Sequence, residues 1–321
     1  MIRFATIGTN FIVDWFLRDS APVSELKYSA VYSRNQDTAN AFANKYGVKK
    51  TYTDLDALAS DPDIDAVYIA SPNNCHCHQA VKMLNAKKHV LCEKPIATTY
   101  EEYKLMCDAA KKNGVILMEA MRSVYDPAFL KMEELLSRIG KVRRASFEYC
   151  QYSSRYDRFK NGIMTNAFDK KFRGGSLMDI GVYCVHPLVK LFGMPDKVFA
   201  DAVMLNNGLD GAGTAVCTYN DGMQAELIFS KISEGYRASQ IQGEKGTIVI
   251  DSIHNPFNVT LYVKGLQPEV YSFEKADWNM LYEAQVFCDM INGRTENDLT
   301  ASENEMLLLD MIRERIGLSF E

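Results

Sequence analysis

Long apolar runs are missing from the sequence, and none approaches the ~20 residues that span a bilayer. The opening residues, MIRFATIGTN, lack the basic segment, apolar core and small-residue cleavage site of a signal peptide. Low-complexity segments and internal repeats are missing too. We therefore expect no membrane partner and, by default, a cytoplasmic location.

An excess of positive charge is also missing. The formal net charge of −5 gives no reason to expect a nucleic-acid partner. The chain has 321 residues, of which 47% are hydrophobic and 24% charged, so it is long enough for two globular domains of ordinary size.

The cysteines show no pairing pattern. The eight cysteines lie mostly in apolar segments, as free, reduced and buried thiols do. The run Cys75-His76-Cys77-His78 looks like a metal-binding tract, but no second ligand cluster accompanies it. Adjacent ligands at a helix start would also point in different directions. We predict ordinary packing here, with one functional histidine and no metal.

The first 120 residues alternate predicted strands and helices. Strands are predicted at 2–7, 27–34, 50–53, 65–72, 88–95 and 115–121, with helices that include 11–20, 36–47 and 99–114. Near-continuous apolar strands separated by helices predict a parallel sheet covered on both faces. This is the doubly wound, dinucleotide-binding Rossmann pattern.

The pattern changes after about residue 122. Longer strands follow, joined by hairpin-type turns at residues 220–222 and 243–246, and two helices are predicted at roughly 276–292 and 302–316. We predict an α/β fold in two domains. Residues 1–121 form an NAD(P)-binding Rossmann domain, and residues 122–321 form an α+β domain with a large, mostly antiparallel open sheet.

The turn after the first strand is close to the dinucleotide fingerprint Gly-x-Gly-x-x-Gly/Ala. Gly8 occupies the first glycine position, whereas Asn10 and Val13 replace the second and third. Asparagine tolerates a left-handed backbone, so we expect the turn to survive and phosphate to meet the start of the next helix. The candidate phosphate-binding residues are Gly8, Thr9, Asn10, Phe11 and Ile12.

The end of the second strand bears on the choice of cofactor. An NAD-preferring site carries an acid there, about 20 residues past the fingerprint, which binds the ribose 2′-hydroxyl. This strand ends with Ser33 and Arg34 and has no acid, and a hydroxyl with a guanidinium suits a 2′-phosphate. Arg34 could instead be a solvated loop residue. We favour NADP, with NAD as the alternative.

Polar residues also follow two later strands. Ser71-Pro72-Asn73 ends one, and Glu93-Lys94-Pro95 ends the next. Ligands of open α/β sheets bind beyond the carboxyl ends of the strands, so both segments would face the same crevice as Gly8. A lysine there can donate a proton to a substrate oxygen. The alternative is a surface Glu-Lys pair beside a loop proline.

A second polar group is predicted on a helix within residues 174–193. Asp179 and Tyr183 are four residues apart and would share one helix face, and His186 would extend the same stripe. These side chains are costly to bury among apolar neighbours unless they are paired or used. The alternative is a capped helix whose polar face meets water.

Together, these motifs resemble the glucose–fructose oxidoreductase / inositol dehydrogenase / MocA (Gfo/Idh/MocA) family of NAD(P)-dependent oxidoreductases. The resemblance runs over nearly the whole chain. It rests on the Gly8 turn and on SPNNCHCHQA (71–80), CEKP (92–95), DIGVYCVH (179–186) and GEKGTIVID (243–251). Within the family the sequence looks most similar to the NADP-dependent dihydrodiol dehydrogenase branch, because a tyrosine replaces histidine in the second motif.

The resemblance implies hydride transfer between a nicotinamide and a secondary alcohol or ketone of a sugar, polyol or cyclic diol. It implies Lys94, Tyr183 and Asp179 as catalytic residues. The further cofactor-binding candidates, from motif position and resemblance, are Ser33, Arg34, Ser71, Pro72, Asn73, His76, Glu93, Lys94 and Pro95.

The segment EAMRSVYDP (119–127) departs from the related dehydrogenases, which carry an aromatic residue and an arginine there. Arg122 stands near the aromatic position and Val124 near the arginine position, so we expect a pocket unlike that for dihydrodiols. Arg122 and His186 are candidate substrate residues. The family's sheet often forms a dimer face, which implies a homodimer or homotetramer through strands between about 142 and 265.

Two other functions stay open. A redox-neutral glycosidase of the same family would use bound NAD without a net change in nicotinamide absorbance. A non-catalytic dinucleotide sensor would regulate a partner protein. The joint presence of Lys94, Asp179 and Tyr183 argues against the sensor.

Overall fold

The computed structural model describes residues 1–275 and 278–320. The chain divides into two compact units. The first unit contains Met1–Ala120 and a later segment that ends at Leu299, and the second unit contains Met121–Lys275 and the segment that begins at Thr300. The first change of unit falls after Ala120, but the return of a later segment to the first unit was not part of the prediction.

The first unit alternates strands and helices. Its elements are β1 (Ile2–Ile7), α1 (Phe11–Ser20), β2 (Leu26–Tyr32), α2 (Gln36–Tyr46), β3 (Lys50–Tyr52), α3 (Leu55–Ser60), β4 (Ala66–Ile69), α4 (Asn73–Asn85), β5 (His89–Glu93), α5 (Tyr100–Asn113) and β6 (Leu117–Ala120). The strands pair in parallel in the order β3-β2-β1-β4-β5-β6. The predicted Rossmann sheet is confirmed.

The sequence sets several helix ends in this unit locally. The Thr99 side chain accepts a hydrogen bond from the Glu102 backbone N–H (3.2 Å) and so caps α5. Gly47 and Gly114, with φ of +69° and +65°, end α2 and α5 in the left-handed conformation that favours glycine. Residues of β4 are buried on both faces, as expected for a covered parallel sheet.

The second unit begins with a 3₁₀ turn (Arg122–Tyr125). Its elements continue with α6 (Pro127–Leu135), β7 (Val142–Cys150), α7 (Tyr156–Lys160), a π-helical turn (Leu177–Gly181) that runs into α8 (Val182–Phe192), β8 (Lys197–Met204), β9 (Asp210–Thr218), β10 (Gln224–Ser230), β11 (Ser239–Gly243), β12 (Gly246–Ile250), β13 (Asn258–Val263) and β14 (Glu269–Ser272). The last two helices are α9 (Met280–Ile291), in the first unit, and α10 (Thr300–Ile316), in the second.

The eight strands of the second unit form one sheet in the order β14-β13-β12-β11-β7-β10-β9-β8. Only the β7–β10 pair is parallel among the pairings described. The two predicted hairpin turns join β9 to β10 and β11 to β12. The mostly antiparallel sheet of the α+β prediction is therefore confirmed.

Packing within the first unit explains why the segment that ends at Leu299 belongs there. The Trp15 ring of α1 stacks on Trp278, with centroids 3.7 Å apart and an interplanar angle of 7°. The Met280 backbone N–H donates to Asp19 at 3.4 Å. Of the helix predicted at 276–292, the structure shows Met280–Ile291, and residues 276–277 lie outside the described residues.

None of the helices described is both long enough and apolar enough to cross a bilayer.

Candidate active site

The glycine turn lies against the end of β4. Gly8 has a φ of +124°, and a Cβ on it would stand 2.6 Å from the Ala70 carbonyl oxygen, so only glycine fits. Asn10 is the N-cap of α1: its Oδ1 accepts from the backbone N–H groups of Ile12 (2.9 Å) and Val13 (3.3 Å). Its Nδ2 donates to the Ala70 carbonyl at 2.7 Å.

Asn10 does not use the left-handed backbone that asparagine tolerates. Its φ of −87° and ψ of 176° are extended, and the residue replaces a fingerprint glycine by capping α1 and linking the turn to β4. Val13 is fully buried, in the place of the third glycine. The turn, with a glycine that tolerates no side chain and the positive end of α1 behind it, fits a dinucleotide phosphate.

Ser33 and Arg34 follow β2, as predicted. The Ser33 backbone N–H donates to the Tyr52 carbonyl (3.0 Å), which fixes the chain at this strand end. Arg34 is exposed, and its positive charge acts on Cys75 at the start of α4. Burial raises the pKa of the Cys75 thiol, and the Arg34 guanidinium opposes that rise. An exposed guanidinium at this strand end fits a 2′-phosphate.

His76 joins the two strand ends that the sequence placed in one crevice. Its Nδ1 lies 2.9 Å from the Pro95 carbonyl oxygen and its Nε2 lies 2.9 Å from the Ser71 carbonyl oxygen. Burial lowers the pKa of His76, while the two carbonyls oppose the shift. Since His76 is buried and His78 is exposed, the Cys-His-Cys-His run does not present its histidines to one point.

Lys94 stands at the end of β5 and is half-buried. The backbone around it is fixed on both sides. Glu93 accepts a hydrogen bond from the Tyr68 hydroxyl (2.5 Å), and the Ile96 backbone N–H donates to Glu119 (2.9 Å). The Lys94–Pro95 peptide is cis. Tyr68 and Glu119 were not among the predicted site residues, although an acid within the apolar strand β6 is a recognisable sign of a buried partner.

In the second unit, Gly175 admits a buried carboxylate at the start of the π-helical turn. Gly175 has a φ of +102°, and a Cβ on it would lie 2.1 Å from Asp210 Oδ1. Asp210 Oδ2 accepts from the Leu177 backbone N–H at 2.6 Å. Burial raises the pKa of Asp210 to about 6, although backbone N–H groups and Lys231 oppose the rise. Asp210 therefore caps the helix that carries Asp179, a role that sequence analysis missed.

Tyr183 is 6% exposed and contacts a cation and two rings of its own unit. The Arg122 Nε donates to the Tyr183 hydroxyl at 3.3 Å, and the guanidinium carbon lies 5.3 Å from the ring centroid. The Tyr149 and His254 rings are stacked with centroids 3.8 Å apart, and the plane of each ring is inclined at 71° to the Tyr183 ring. This arrangement can orient a phenol for proton exchange.

The other two members of the predicted stripe contact different groups. The Asp179 carboxylate pairs with Lys231 at the end of β10. His186 Nδ1 lies 2.6 Å from Glu305 on α10, and both side chains are buried. The π-helical turn at Leu177–Gly181 takes Asp179 out of the 3.6-residue period of α8. His186 lies within α8 itself, and its contact is set by Glu305 of α10, which packs beside that helix.

Two family comparisons cover most of the chain. Residues 2–121 match the family described as "Oxidoreductase family, NAD-binding Rossmann fold" (GFO_IDH_MocA), and residues 129–249 match the "GFO/IDH/MocA C-terminal domain". This protein belongs to the GFO/IDH/MocA oxidoreductase family. The resemblance inferred from the sequence motifs is confirmed, and the Rossmann domain is that of an NAD(P)-binding oxidoreductase.

Individual relatives are similar over nearly full length. The chain is 47% identical over 304 residues (95% of this chain and 92% of the relative) to scyllo-inositol 2-dehydrogenase (NADP(+)) IolU of Bacillus subtilis (strain 168). It is 30% identical over 337 residues (99% and 98%) to trans-1,2-dihydrobenzene-1,2-diol dehydrogenase of Mus musculus.

The fold is shared with solved oxidoreductases. The structure of KijD10, a 3-ketoreductase from Actinomadura kijaniata in complex with TDP-benzene and NADP, aligns with a TM-score of 0.83 and 22% identity, over 98% of both chains.

Proposed function

We propose that this protein is an NADP-dependent dehydrogenase that interconverts a secondary alcohol of a cyclic polyol or sugar and the corresponding ketone. The observation that carries the proposal is the 47% identity to an NADP(+)-dependent scyllo-inositol 2-dehydrogenase over 95% of this chain. The lack of an acid after β2, where Ser33 and Arg34 stand, supports NADP as the cofactor.

The chemical roles divide between cofactor and protein. When bound, the nicotinamide accepts or supplies the hydride. We propose that Tyr183 exchanges a proton with the substrate oxygen and that Arg122, which donates to its hydroxyl, orients it and contacts the substrate. Lys94 supplies positive charge that stabilises an oxyanion, and Asp179 accepts hydrogen bonds from substrate hydroxyls.

The proposed cofactor residues lie in the first unit, and Ser33 and Arg34 among them bind the 2′-phosphate. The others are Gly8, Thr9, Asn10, Phe11, Ile12, Ser71, Pro72, Asn73, His76, Glu93, Lys94 and Pro95. His76 serves by holding the Ser71 and Pro95 carbonyls in place. His186, a predicted substrate residue, is instead proposed to stabilise the packing of α8 on α10 through Glu305.

We also propose a homodimer or homotetramer, formed through the eight-stranded sheet, in the cytoplasm. Phe199 and Val203 on β8 and Val216 on β9 are 62%, 56% and 38% exposed, and Phe199 is paired with Val216 across the two strands. Several exposed apolar side chains on one sheet face support a protein interface. All eight cysteines lie in the part of the chain that the structure describes and form no disulfide, which supports a reducing compartment.

The test is a cofactor and substrate assay on the purified protein. NADP+ or NAD+ is mixed with scyllo-inositol, other inositols or sugars, and absorbance at about 340 nm is followed. We expect reduction of NADP+ by a cyclic polyol, with kcat/KM at least ~10-fold above that for NAD+. The variant Arg34→Glu should weaken NADPH binding and spare NADH binding.

Binding is measured separately by tryptophan fluorescence. Both tryptophans, Trp15 and Trp278, lie in the first unit, and Phe11 at the start of α1 contacts Trp15 with centroids 4.9 Å apart. Cofactor that stays bound through purification, with cleavage of a glycoside and no net absorbance change, would support the redox-neutral alternative. NADPH binding without turnover of any substrate would support the sensor.

A further inference from the structure

We propose that Lys231 is a positioning residue for substrate binding, because its ammonium holds the Asp179 carboxylate in the orientation that accepts hydrogen bonds from polyol hydroxyls. This inference rests on the proposed function, since it concerns how Asp179 recognises the substrate.

The backbone fixes Lys231 at one place. It follows β10 directly, its N–H donates to the Gly211 carbonyl (2.8 Å), and its own carbonyl accepts from the Ser153 N–H (3.0 Å). Only 9% of its side chain is exposed, and the ammonium pairs with Asp179. Two neighbouring backbone segments therefore hold the Lys231 backbone, and the covered side chain extends from this fixed point to Asp179.

The two members of the pair differ in exposure. The Asp179 side chain keeps 32% of its surface accessible, whereas the Lys231 side chain is almost wholly covered. A covered ammonium is costly unless it is paired, so the pair holds together. It follows that Lys231 supports Asp179 from within the unit, and that Asp179 is the member available to a ligand.

Lys231 also acts on the cap of the same helix. Its charge favours the ionised form of Asp210, which accepts from the Leu177 backbone N–H two residues before Asp179. One ammonium thus affects both the carboxylate that starts the helix and the carboxylate proposed to bind substrate.

The chemical consequence is a preference for neutral polyhydroxylated substrates. A carboxylate paired with an ammonium stays ionised and acts only as an acceptor, which suits hydroxyl donors. Without the ammonium, Asp179 loses its orientation, and the enzyme binds the polyol less well while hydride transfer in the bound complex changes less.

The experiment compares Lys231→Met, which keeps the aliphatic stem, with Lys231→Arg, which keeps the charge. Lys264→Met is the matched control, because Lys264 is an exposed lysine of the same unit. For Lys231→Met we expect the polyol KM to rise at least ~10-fold, kcat to fall less than ~3-fold and the NADPH Kd to stay within ~2-fold of wild type. The polyol KM of Lys231→Arg should lie close to the wild-type value.

Several results would overturn the inference. An unchanged polyol KM in Lys231→Met, with an active wild-type enzyme, overturns it and leaves the proposed function intact. Additive KM effects of Lys231→Met and Asp179→Asn in a double-mutant cycle also overturn it, because coupled residues are not additive. If Lys231→Met does not fold, the Lys231→Arg enzyme is compared with the Asp179→Asn enzyme. A polyol KM as high in Lys231→Arg as in Asp179→Asn overturns the inference. A wild-type enzyme that turns over no polyol overturns both proposals.

Discussion

At the residue scale, Asn10 shows how a side chain can replace a glycine. The fingerprint glycine allows a close backbone approach, whereas Asn10 spans the same gap with its amide, which bonds to the Ala70 carbonyl and to the first amides of α1. The departure from the fingerprint that the sequence shows is therefore no sign of a lost phosphate turn.

Lys94→Met and Tyr183→Phe should each lower kcat/KM by roughly 10²–10⁴, the usual contribution of a proton-transfer or charge-stabilising group. Tyr183→Phe should change the NADPH Kd by less than ~2-fold, because Tyr183 is not among the proposed cofactor residues. Lys94→Met should still bind NADPH, because the Gly8 turn and Arg34 are unchanged. Steady-state kinetics and fluorescence titration measure the two quantities. Full turnover by either variant would remove that residue from the mechanism.

The residues that hold the candidate site were harder to predict than the candidates themselves. Lys94 and Tyr183 stand in short local motifs, so the sequence shows them directly. Glu119, Asp210 and Lys231 act across 23, 33 and 52 residues of chain, and no local pattern marks such partners.

At the element scale, the π-helical turn depends on the fit between Gly175 and Asp210. Gly175→Ala should lower the free energy of unfolding by at least ~2 kcal/mol more than Gly265→Ala, measured by urea unfolding. Both glycines have a positive φ, +102° and +82°, so an alanine at either position is subject to similar backbone strain. Only the alanine at 175 would also meet Asp210, since no atom lies within 4 Å of a Cβ at Gly265. An equal decrease in the free energy of unfolding for the two variants would show that Asp210 moves away from the alanine at no cost in stability.

Asp210 should make stability depend on pH. Its pKa is raised to about 6 from a normal value near ~3.9, so its contribution is present below about pH 4 and is lost as pH rises through 6. Asp210→Asn keeps an acceptor for Leu177 and cannot ionise. The free energy of unfolding of the variant minus that of wild type should therefore rise by about 2 kcal/mol between pH 4 and 7.

Denaturant unfolding at several pH values measures this difference. A difference that does not vary with pH would mean that Asp210 titrates alike in the folded and unfolded chains. Leu105→Gln, a change of an exposed residue in the first unit, gives the baseline for a variant without a titrating group.

At the scale of the whole molecule, the exposed apolar face of β8 and β9 carries the prediction about assembly. Phe199→Glu should lower the molecular mass in solution to that of a smaller assembly, because it places a charge in the centre of the proposed interface. Light scattering after size exclusion measures the mass. Leu105→Glu, at a residue 58% exposed on α5, should leave it unchanged. An unchanged mass for Phe199→Glu would exclude this face as the interface.

The order of the elements and the class of the fold follow from local sequence patterns. Apolar strands, helix caps at Thr99 and stops at Gly47 and Gly114 are local features, and they predicted the Rossmann sheet and the change of pattern near residue 122. The family motifs also marked Lys94 and Tyr183, because short-range spacing is visible in one chain.

Which distant groups meet depends on how the elements pack in three dimensions. In the tertiary structure the segment containing Trp278 belongs to the first unit, and a π-helical turn precedes Tyr183. Asp179 pairs with Lys231, and His186 pairs with Glu305. The physical reason is that buried charges and rings must find partners wherever packing brings them, and those partners come from strands and helices far away in the chain.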